Sequence, residues 1–567
     1  MPERIPFATL ADYVQDALER HAEHVFLAEP GGPVLRYGEA ARAVEALHGK
    51  LRDAGVRPHD RVAVLGGNGA HWCLAYLAVV TYGAVVVPVL TDFAPSGIHN
   101  ILVLSGSRAA FVEAGMLDAL DRGPIPDLQR VWVLEDFSEV PLEHLGDRLQ
   151  QLKSTVSQLR GRAQQILEEH IPPLRHPPAR PRPEDLAAVV YTSGTTGSSK
   201  GVMLTQGNLA AAVQSAVTYV EITPADRMLA MLPLAHTYEC TCGFLGPMGG
   251  GASIHFLRGK PSPRVLQEAF AETRPTLVFA VPLVIEKIYR KRVVPAVERN
   301  VLVRSAARVP AVRRAIYRKA VKGLLKAFGG NLRQMGLGGA ALAPEVERFL
   351  QEGRFPYHVG YGMTECGPLI AGTRPEDTRA GSCGYATPGI EIRIDGADAR
   401  TGVGEVQVRG PMVTPGYFHN QEATEAAFTP DGWLRTGDLG VLGGDGYLHL
   451  RGRSKNVILG PSGENIYPEE VEQLLAGSPL VLECLVVQRE HRLTALILPD
   501  SETLATDLGL YGEDEGVAGR RVQAAFAALV EQVNAELPAF GRLSSFVLVE
   551  KEFEKTPTAK IKRYLYA

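Results

Sequence analysis

A chain of 567 residues is too long for one hydrophobic core and requires at least two domains. With 45% hydrophobic and 22% charged residues it has the make-up of an ordinary globular enzyme, and a net charge of -4 excludes a polycation built for nucleic acid. The six cysteines (Cys73, Cys240, Cys242, Cys366, Cys383, Cys484) are scattered. Cys240 and Cys242 lack further ligands at metal spacing, nothing suggests a disulfide scaffold, and a reducing cytoplasm is the expected compartment.

The N-terminus, MPERIPFATLADYVQDALERH, has no apolar leader core and is predicted to form an amphipathic helix. From Leu10 to about Gly115, helices alternate with the Val-rich runs Arg61 to Leu65, Ala84 to Val87 and Ala109 to Val112, the pattern of a parallel sheet flanked by helices. Cys73 to Leu90 approaches membrane length, but Gly83 and Pro88 favour a buried helix feeding a buried strand. Leu145, Leu149, Leu152, Val156, Leu159, Ala163 and Ile166 draw one apolar stripe down a predicted long helix, better suited to packing on its own domain than to a coiled coil. A proline-rich connector ending at Pro183 follows.

Tyr191 to Gly201, YTSGTTGSSKG, is expected to be a loop between strands and has the chemistry of a phosphate grip. Gly194, Gly197 and Gly201 allow close backbone approach to a polyanion; Thr192, Ser193, Thr195 and Thr196 add hydroxyls, and Lys200 a point charge. The Walker spacing is absent, which speaks against a phosphotransferase or ATPase of that class. The run resembles the signature of the adenylate-forming superfamily, which includes acyl-CoA synthetases, peptide-synthetase adenylation domains and beetle luciferases.

That resemblance extends along nearly the whole chain, and is nearest to the long-chain fatty acyl-CoA synthetases. LPLAHTYE, Leu232 to Glu239, is similar to a segment that places His236 between acyl pocket and ATP. Gly243 and Gly246 in the next helix would leave room for an apolar chain. VFAVPLVIEKIY, Val278 to Tyr289, resembles an acyl-pocket wall, with Pro282 bending the strand exit. Beyond it, residues 287–326 are strongly basic, which suits either a solvated face or peripheral contact with an anionic membrane. The turn Gly338 to Ala341, with Gly339 and Ala340 at its centre, would border the adenine.

YGMTEC, Tyr361 to Cys366, matches the family's adenine and metal segment: Tyr361, Gly362 and Met363 beside the base, Thr364 at the α-phosphate, Glu365 with Thr192 as the Mg²⁺ ligands. Val359 stands where relatives often have Asn or Gln. In GWLRTGDLG, Asp438 would accept from both ribose hydroxyls, and Arg453 suits ribose or phosphate oxygens. The family pattern puts a hinge at Lys455, Gly463 beside the pantetheine tunnel of coenzyme A, and the catalytic lysine at Lys560 in KTPTAKIKRY. Leu459, Thr558 and Ala559 depart from the usual Lys, Ser and Gly. After Asn465 a predicted helix and two strands form a small α+β domain, so the expectation is a large α/β domain of helix-flanked, mostly parallel sheets over 1–452 and a mobile small domain over 453–567.

The resemblance implies ATP-dependent activation of a medium- or long-chain fatty acid to acyl-AMP, catalysed by Lys560, Glu365, His236 and Thr192, and transfer to CoA. Two anions about 4 Å apart repel by roughly 4 kcal/mol at an effective dielectric near 20, and a lysine with Mg²⁺ offsets this. The rivals are an acyl-AMP ligase loading a carrier protein, a ligase for an aryl or short-chain acid, and a silent nucleotide-binding protein, the last opposed by the full residue set. Monomer and homodimer are both compatible with the sequence, and the expected location is cytoplasmic, with peripheral contact at the inner membrane face as the alternative.

Overall fold

The computed structural model describes residues 7–32, 34–120, 123–140, 180–193, 199–257, 259, 261–295, 301–459, 464–489, 492–510, 513–556 and 560–566. The apolar stripe expected over 145–166 and most of the proline-rich connector lie outside them.

Two sheets build the large part of the molecule. In the first, seven strands lie in the spatial order Glu139–Val140, Arg130–Val133, Ser107–Val112, Arg61–Leu65, Val85–Val89, Leu186–Ser193 and Ser199–Thr205. Its four inner pairings, from Arg130–Val133 through Leu186–Ser193, are all parallel, and the two edges pair antiparallel. The valine runs make this sheet because both its faces are covered, so the strands need no polar alternation. Ala70–Tyr82 is a helix buried nearly all round; Gly83, at φ +85°, ends it, and the chain enters Val85–Val89 directly. Among the described residues no helix is long and apolar enough to cross a membrane.

The second sheet has nine strands, ordered Tyr385–Ala386, Leu369–Gly372, Tyr357–Gly362, Gln334–Leu337, Leu277–Ala280, Arg227–Ala230, Ser253–Phe256, Val25–Ala28 and Val34–Arg36. Pairings from Tyr357 through Val25 are parallel. The helices Leu10–Arg20, Tyr37–Asp53 and Ala70–Tyr82 join one apolar core with residues of both sheets. A four-stranded antiparallel sheet (Glu391–Asp395, Gly404–Arg409, Leu434–Leu442, Leu448–Arg453) completes this part.

The chain then passes a 3₁₀ turn at Ser454–Asn456 into a smaller α+β unit. Val481–Arg489 and Arg492–Pro499 pair antiparallel, and Ser545–Leu548 joins parallel to the second. One face of this sheet packs through Cys484, Val486, Ala495 and Ile497 on the helices Pro468–Ala476 and Glu515–Glu536. Its other face, Leu485, Val487, Leu496 and Leu498, is covered by the C-terminal tail through Phe553, Ile561 and Tyr566.

Three sequence expectations are modified. The strands run into the phosphate motif, pairing Thr192 with Lys200 and Ser193 with Ser199, so only residues 194–198 lie between them. Pro282 begins the helix Pro282–Ile288 at its first position, where the missing N–H costs nothing, instead of merely bending a strand. The room beside Gly243 is taken: a Cβ there would stand 2.6 Å from Glu239 Oε1, and one on Gly246 would stand 3.1 Å from the Thr241 carbonyl oxygen.

Asp226 gathers the N-terminal ends of the second sheet. Its carboxylate accepts from Thr276 Oγ1 (2.7 Å), from Thr223 N and Oγ1 (2.9 Å each), and from Arg333 Nη2 (2.8 Å). Its backbone carbonyl accepts from Ser253 N. Burial pushes its pKa up, but the Thr276 and Thr223 hydrogen bonds and the Arg333 charge outweigh burial and hold it below the ordinary value. Asp226→Asn is expected to lower stability by about 2–4 kcal/mol, read as an earlier denaturant midpoint at pH 7. Because the folded pKa is depressed, this contribution exists above the unfolded carboxylate's pKa and fades as pH falls through the folded one, so the deficit must shrink in acid.

Candidate active site

The C-terminal ends of the parallel strands in both large sheets open onto one cavity of about 3630 Å³. Ligands collect at such strand ends because the connecting loops leave a crevice there. From the first sheet come the loops at Gly66–Gly69, Leu90–Asp92 and Glu113–Met116, with Thr192 and Lys200; from the second come Met231–His236, Val281, Gly339–Leu342 and Gly360–Glu365. Asn68 stitches the sheets together at the mouth, donating from Nδ2 to Leu232 O (2.7 Å) and accepting from Leu234 N (2.8 Å). This bridge fixes the loop that carries His236.

The motifs converge. Thr192, Lys200, His236, Gly339, Ala340, Tyr361, Gly362, Met363, Thr364, Glu365, Asp438, Arg453 and Lys560 all line this cavity. Ser193 ends its strand opposite Ser199. Gly194, Thr195, Thr196, Gly197 and Gly463 lie outside the described residues. Lys455 is exposed at the cavity rim, in the turn after Arg453.

Asp438 and Arg453 face each other in register on adjacent strands, and Arg453 Nε meets Asp438 Oδ1 at 2.7 Å. Tyr361 donates its hydroxyl to the other oxygen, Oδ2, at 2.6 Å. The carboxylate is thus already oriented, and each oxygen keeps a lone pair for a further donor such as a ribose hydroxyl. Burial raises the Asp438 pKa; Arg453, Tyr361 and Lys560 pull it back.

Glu365 is held similarly, by a residue the sequence reading passed over. Tyr417 donates its hydroxyl to Glu365 Oε1 (2.8 Å), while Lys200 Nζ sits 5.0 Å from the centre of the same ring. The phenol therefore links the phosphate strand to the acidic residue. The only sequence signal was an aromatic after Pro415-Gly416.

No cluster of three or more His, Cys, Asp or Glu side chains suits a metal among the described residues. One carboxylate with a nearby hydroxyl set fits Mg²⁺, which keeps water and takes substrate phosphate oxygens in place of an all-protein cage. Glu365 and Thr192 are the residues that would hold it.

His236 is buried, and burial, then the Lys560 charge, lowers its pKa to about 4. Its Nδ1 accepts from Tyr238 N (3.2 Å), which leaves the proton of the neutral ring on Nε2. Glu239 lies deeper, at the start of a π-helical stretch through Leu245. Burial raises its pKa well above the usual carboxylate range, and the nearby backbone amides of Leu232 and Met231 offset this only in part.

Lys560 reaches this site from the C-terminal tail. Its neighbour Ile561 packs on the small sheet, and Phe553 and Tyr566 meet edge to face at 5.2 Å to pin the strand of chain on either side. Lys555 pairs with Glu483, Lys562 with Glu554 and Arg563 with Glu472. Among the described residues Lys560 alone of these four cations makes no ion pair, so the tail is no generic basic face. Its accessible surface faces the cavity, while crowding protein strips water from the ammonium: burial and Arg453 lower its pKa, Asp438 and Glu365 raise it.

Comparison with known proteins decides the family. The AMP-binding enzyme family model matches residues 14–418, and the AMP-binding enzyme C-terminal domain model matches 455–566. The chain belongs to the AMP-binding, adenylate-forming enzymes. Long chain acyl-CoA synthetase 7, peroxisomal, of Arabidopsis thaliana is 30% identical over 99% of this chain and 85% of that protein. The long-chain-fatty-acid–CoA ligase FadD15 of Mycobacterium bovis is 29% identical over 93% and 90%. Among solved structures, the anthranilate CoA ligase AuaEII in complex with anthranoyl-AMP shares the fold at a TM-score of 0.74 and 22% identity, covering 99% of this chain and 97% of that one. With these relatives the chain is an AMP-forming acid–thiol ligase of the long-chain fatty-acid–CoA ligase family.

If the Lys560 ammonium must be charged in free enzyme, its depressed pKa sets an early alkaline limit. The kcat/KM for ATP in acyl-AMP formation should fall on a limb at lower pH than an ordinary lysine would give, and Lys560→Arg should move that limb upward or abolish it. An unchanged alkaline limb in the arginine variant counts against the assignment.

Proposed function

We propose that this chain activates a medium- or long-chain fatty acid with ATP and transfers the acyl group to coenzyme A, releasing pyrophosphate and then AMP. The carrying observation is Lys560: unlike Lys555, Lys562 and Arg563 it makes no ion pair among the described residues, and it stands in the cavity shared with Asp438, Glu365, Arg453 and His236. A carboxylate attacking the α-phosphate is repelled by it, and a charged ammonium between the two anions offsets that repulsion and stabilises the charge that develops on the phosphate.

The other residues have corresponding tasks. Asp438 takes the ribose hydroxyls, the Gly339–Ala340 turn and Tyr361 border the base, and Thr364 donates to the α-phosphate. Neutral His236 offers Nε2–H to an anion and contributes no competing charge. Glu365 and Thr192 would hold Mg²⁺, which would supply neutralisation of the phosphate charge when bound. For the second step the small unit turns about Lys455, withdrawing Lys560, and the CoA thiol attacks the acyl carbonyl of the mixed anhydride while AMP departs with the bonding pair.

Long chains are favoured because Met231, Phe256, Leu257, Val281 and Leu283 give the cavity an apolar side, and each buried methylene contributes about 0.8 kcal/mol. A panel of carboxylic acids, scored for pyrophosphate release with and without CoA, should give release with fatty acids and CoA consumption with the same acids. Lys560→Ala should lose pyrophosphate release yet still form thioester from supplied acyl-AMP. Activity confined to aryl acids, or adenylate formed without CoA use, overturns the reading.

We further propose a cytoplasmic enzyme touching the inner membrane face. The basic stretch is narrower than its sequence suggests, since Arg290 and Lys291 face the small unit and Arg313 pairs with Glu352. Arg314, Arg318, Lys319, Lys322 and Lys326 remain exposed on the helix Pro310–Ala327, beside exposed Val309 and Val312. The protein should co-sediment with phosphatidylserine-containing vesicles in a salt-sensitive way and not with neutral ones; equal binding to both rejects the contact.

A further inference from the structure

The helix Pro282–Ile288 and the π-helical turn Tyr289–Val293 that continues it lead from the cavity wall to the small unit. At its start, Val281 and Leu283 line the cavity. One turn on, Glu286 accepts from Ala343 N (3.1 Å), fixing the helix to the loop that follows Gly339. A further turn on, Arg290 crosses to the small unit, its side chain only 14% exposed.

There the guanidinium donates to the carbonyl oxygens of Ala476 and of Val481, the latter at 3.3 Å, while Glu286 Oε2 lies 3.8 Å away. Ala476 is the last residue of the helix Pro468–Ala476, so the cation sits at the negative end of that helix, where carbonyls lack helical partners. The same helix donates from Gln473 Nε2 to Leu342 O (2.7 Å), beside the adenine loop. Its Glu472 is gripped by Arg563 Nη2 at 2.7 and 2.8 Å, three residues beyond Lys560. A continuous line of contacts thus runs from Arg290 through this helix to the lysine. The nearby Lys291–Glu502 pair is exposed on both sides and adds little.

The geometry points to Arg290 as a positioning residue for acyl-AMP formation: it clamps the C-terminal end of helix Pro468–Ala476, and through Glu472 and Arg563 holds Lys560 in the cavity. Turning of the small unit for thioester formation separates Arg290 from its carbonyl acceptors, so the clamp serves one half-reaction only. This inference rests on the ligase reading above, because it assigns the residue to one of the two steps.

The test measures both half-reactions in Arg290→Met, Arg290→Lys and Lys291→Ala beside the wild type. Arg290→Met should slow single-turnover pyrophosphate release about tenfold or more, in kcat and not in the KM for ATP, because fewer molecules hold the docked arrangement. Thioester formation from supplied acyl-AMP and CoA should stay within about twofold. Arg290→Lys should recover part of the loss, and Lys291→Ala should leave both rates unchanged. If Arg290→Met does not fold, Gln473→Leu, which removes the second hydrogen bond across the same junction, must give the same one-sided loss. Equal losses in both half-reactions, or none in pyrophosphate release, overturn the clamp. A wild type that releases no pyrophosphate with any acid instead rejects the ligase reading.

Discussion

An ammonium crowded by protein holds its proton best where anions compensate, and Lys560 finds its anions across the cleft, in Asp438 and Glu365. Among the described residues its own tail offers it no ion pair, because the neighbouring cations Lys555, Lys562 and Arg563 pair with Glu483, Glu554 and Glu472. Burial and Arg453 push toward the neutral amine and the two carboxylates push back, leaving a charge that an incoming polyphosphate would strengthen. Most other features of the site keep those carboxylates still. Tyr361 and Arg453 fix Asp438, and Tyr417 fixes Glu365.

Charge is partitioned within the cavity. Lys200, Glu365, Asp438, Arg453 and Lys560 belong to the nucleotide half, whereas the His236 side carries a ring kept neutral by burial. Deeper still, burial pushes the Glu239 carboxyl toward its neutral form, and the side chain fills the space that Gly243 leaves by having no Cβ. The glycine therefore accommodates a neighbouring side chain and does not open a channel.

The sequence revealed what is written in consecutive residues. Valine runs gave the strands Arg61–Leu65 and Val85–Val89 because a sheet covered on both faces tolerates unbroken apolar sequence. The segments around Tyr191, Tyr361, Asp438 and Lys560 were legible because each packs several reactive groups into a few positions. What stayed hidden depends on partners remote in sequence. Asn68 acquires meaning only against the loop at Leu232–Leu234, Tyr417 only between Lys200 and Glu365, and Arg290 only against Ala476 and Val481. Periodicity and propensity carry no trace of such meetings, since each is made by tertiary packing alone. The basic stretch after Lys287 misled in extent for the same reason: its charge was visible, its pairing was not.

Asp226 ties together the N-terminal ends of the strands in the larger sheet, whereas the loops that meet ligands leave from the opposite ends. Rigidity and chemistry are thereby assigned to opposite poles of one framework. Loops at the reactive pole can change in length and composition without touching the knot that secures the strands, which gives this architecture latitude to acquire new acids as substrates while its folding stays intact.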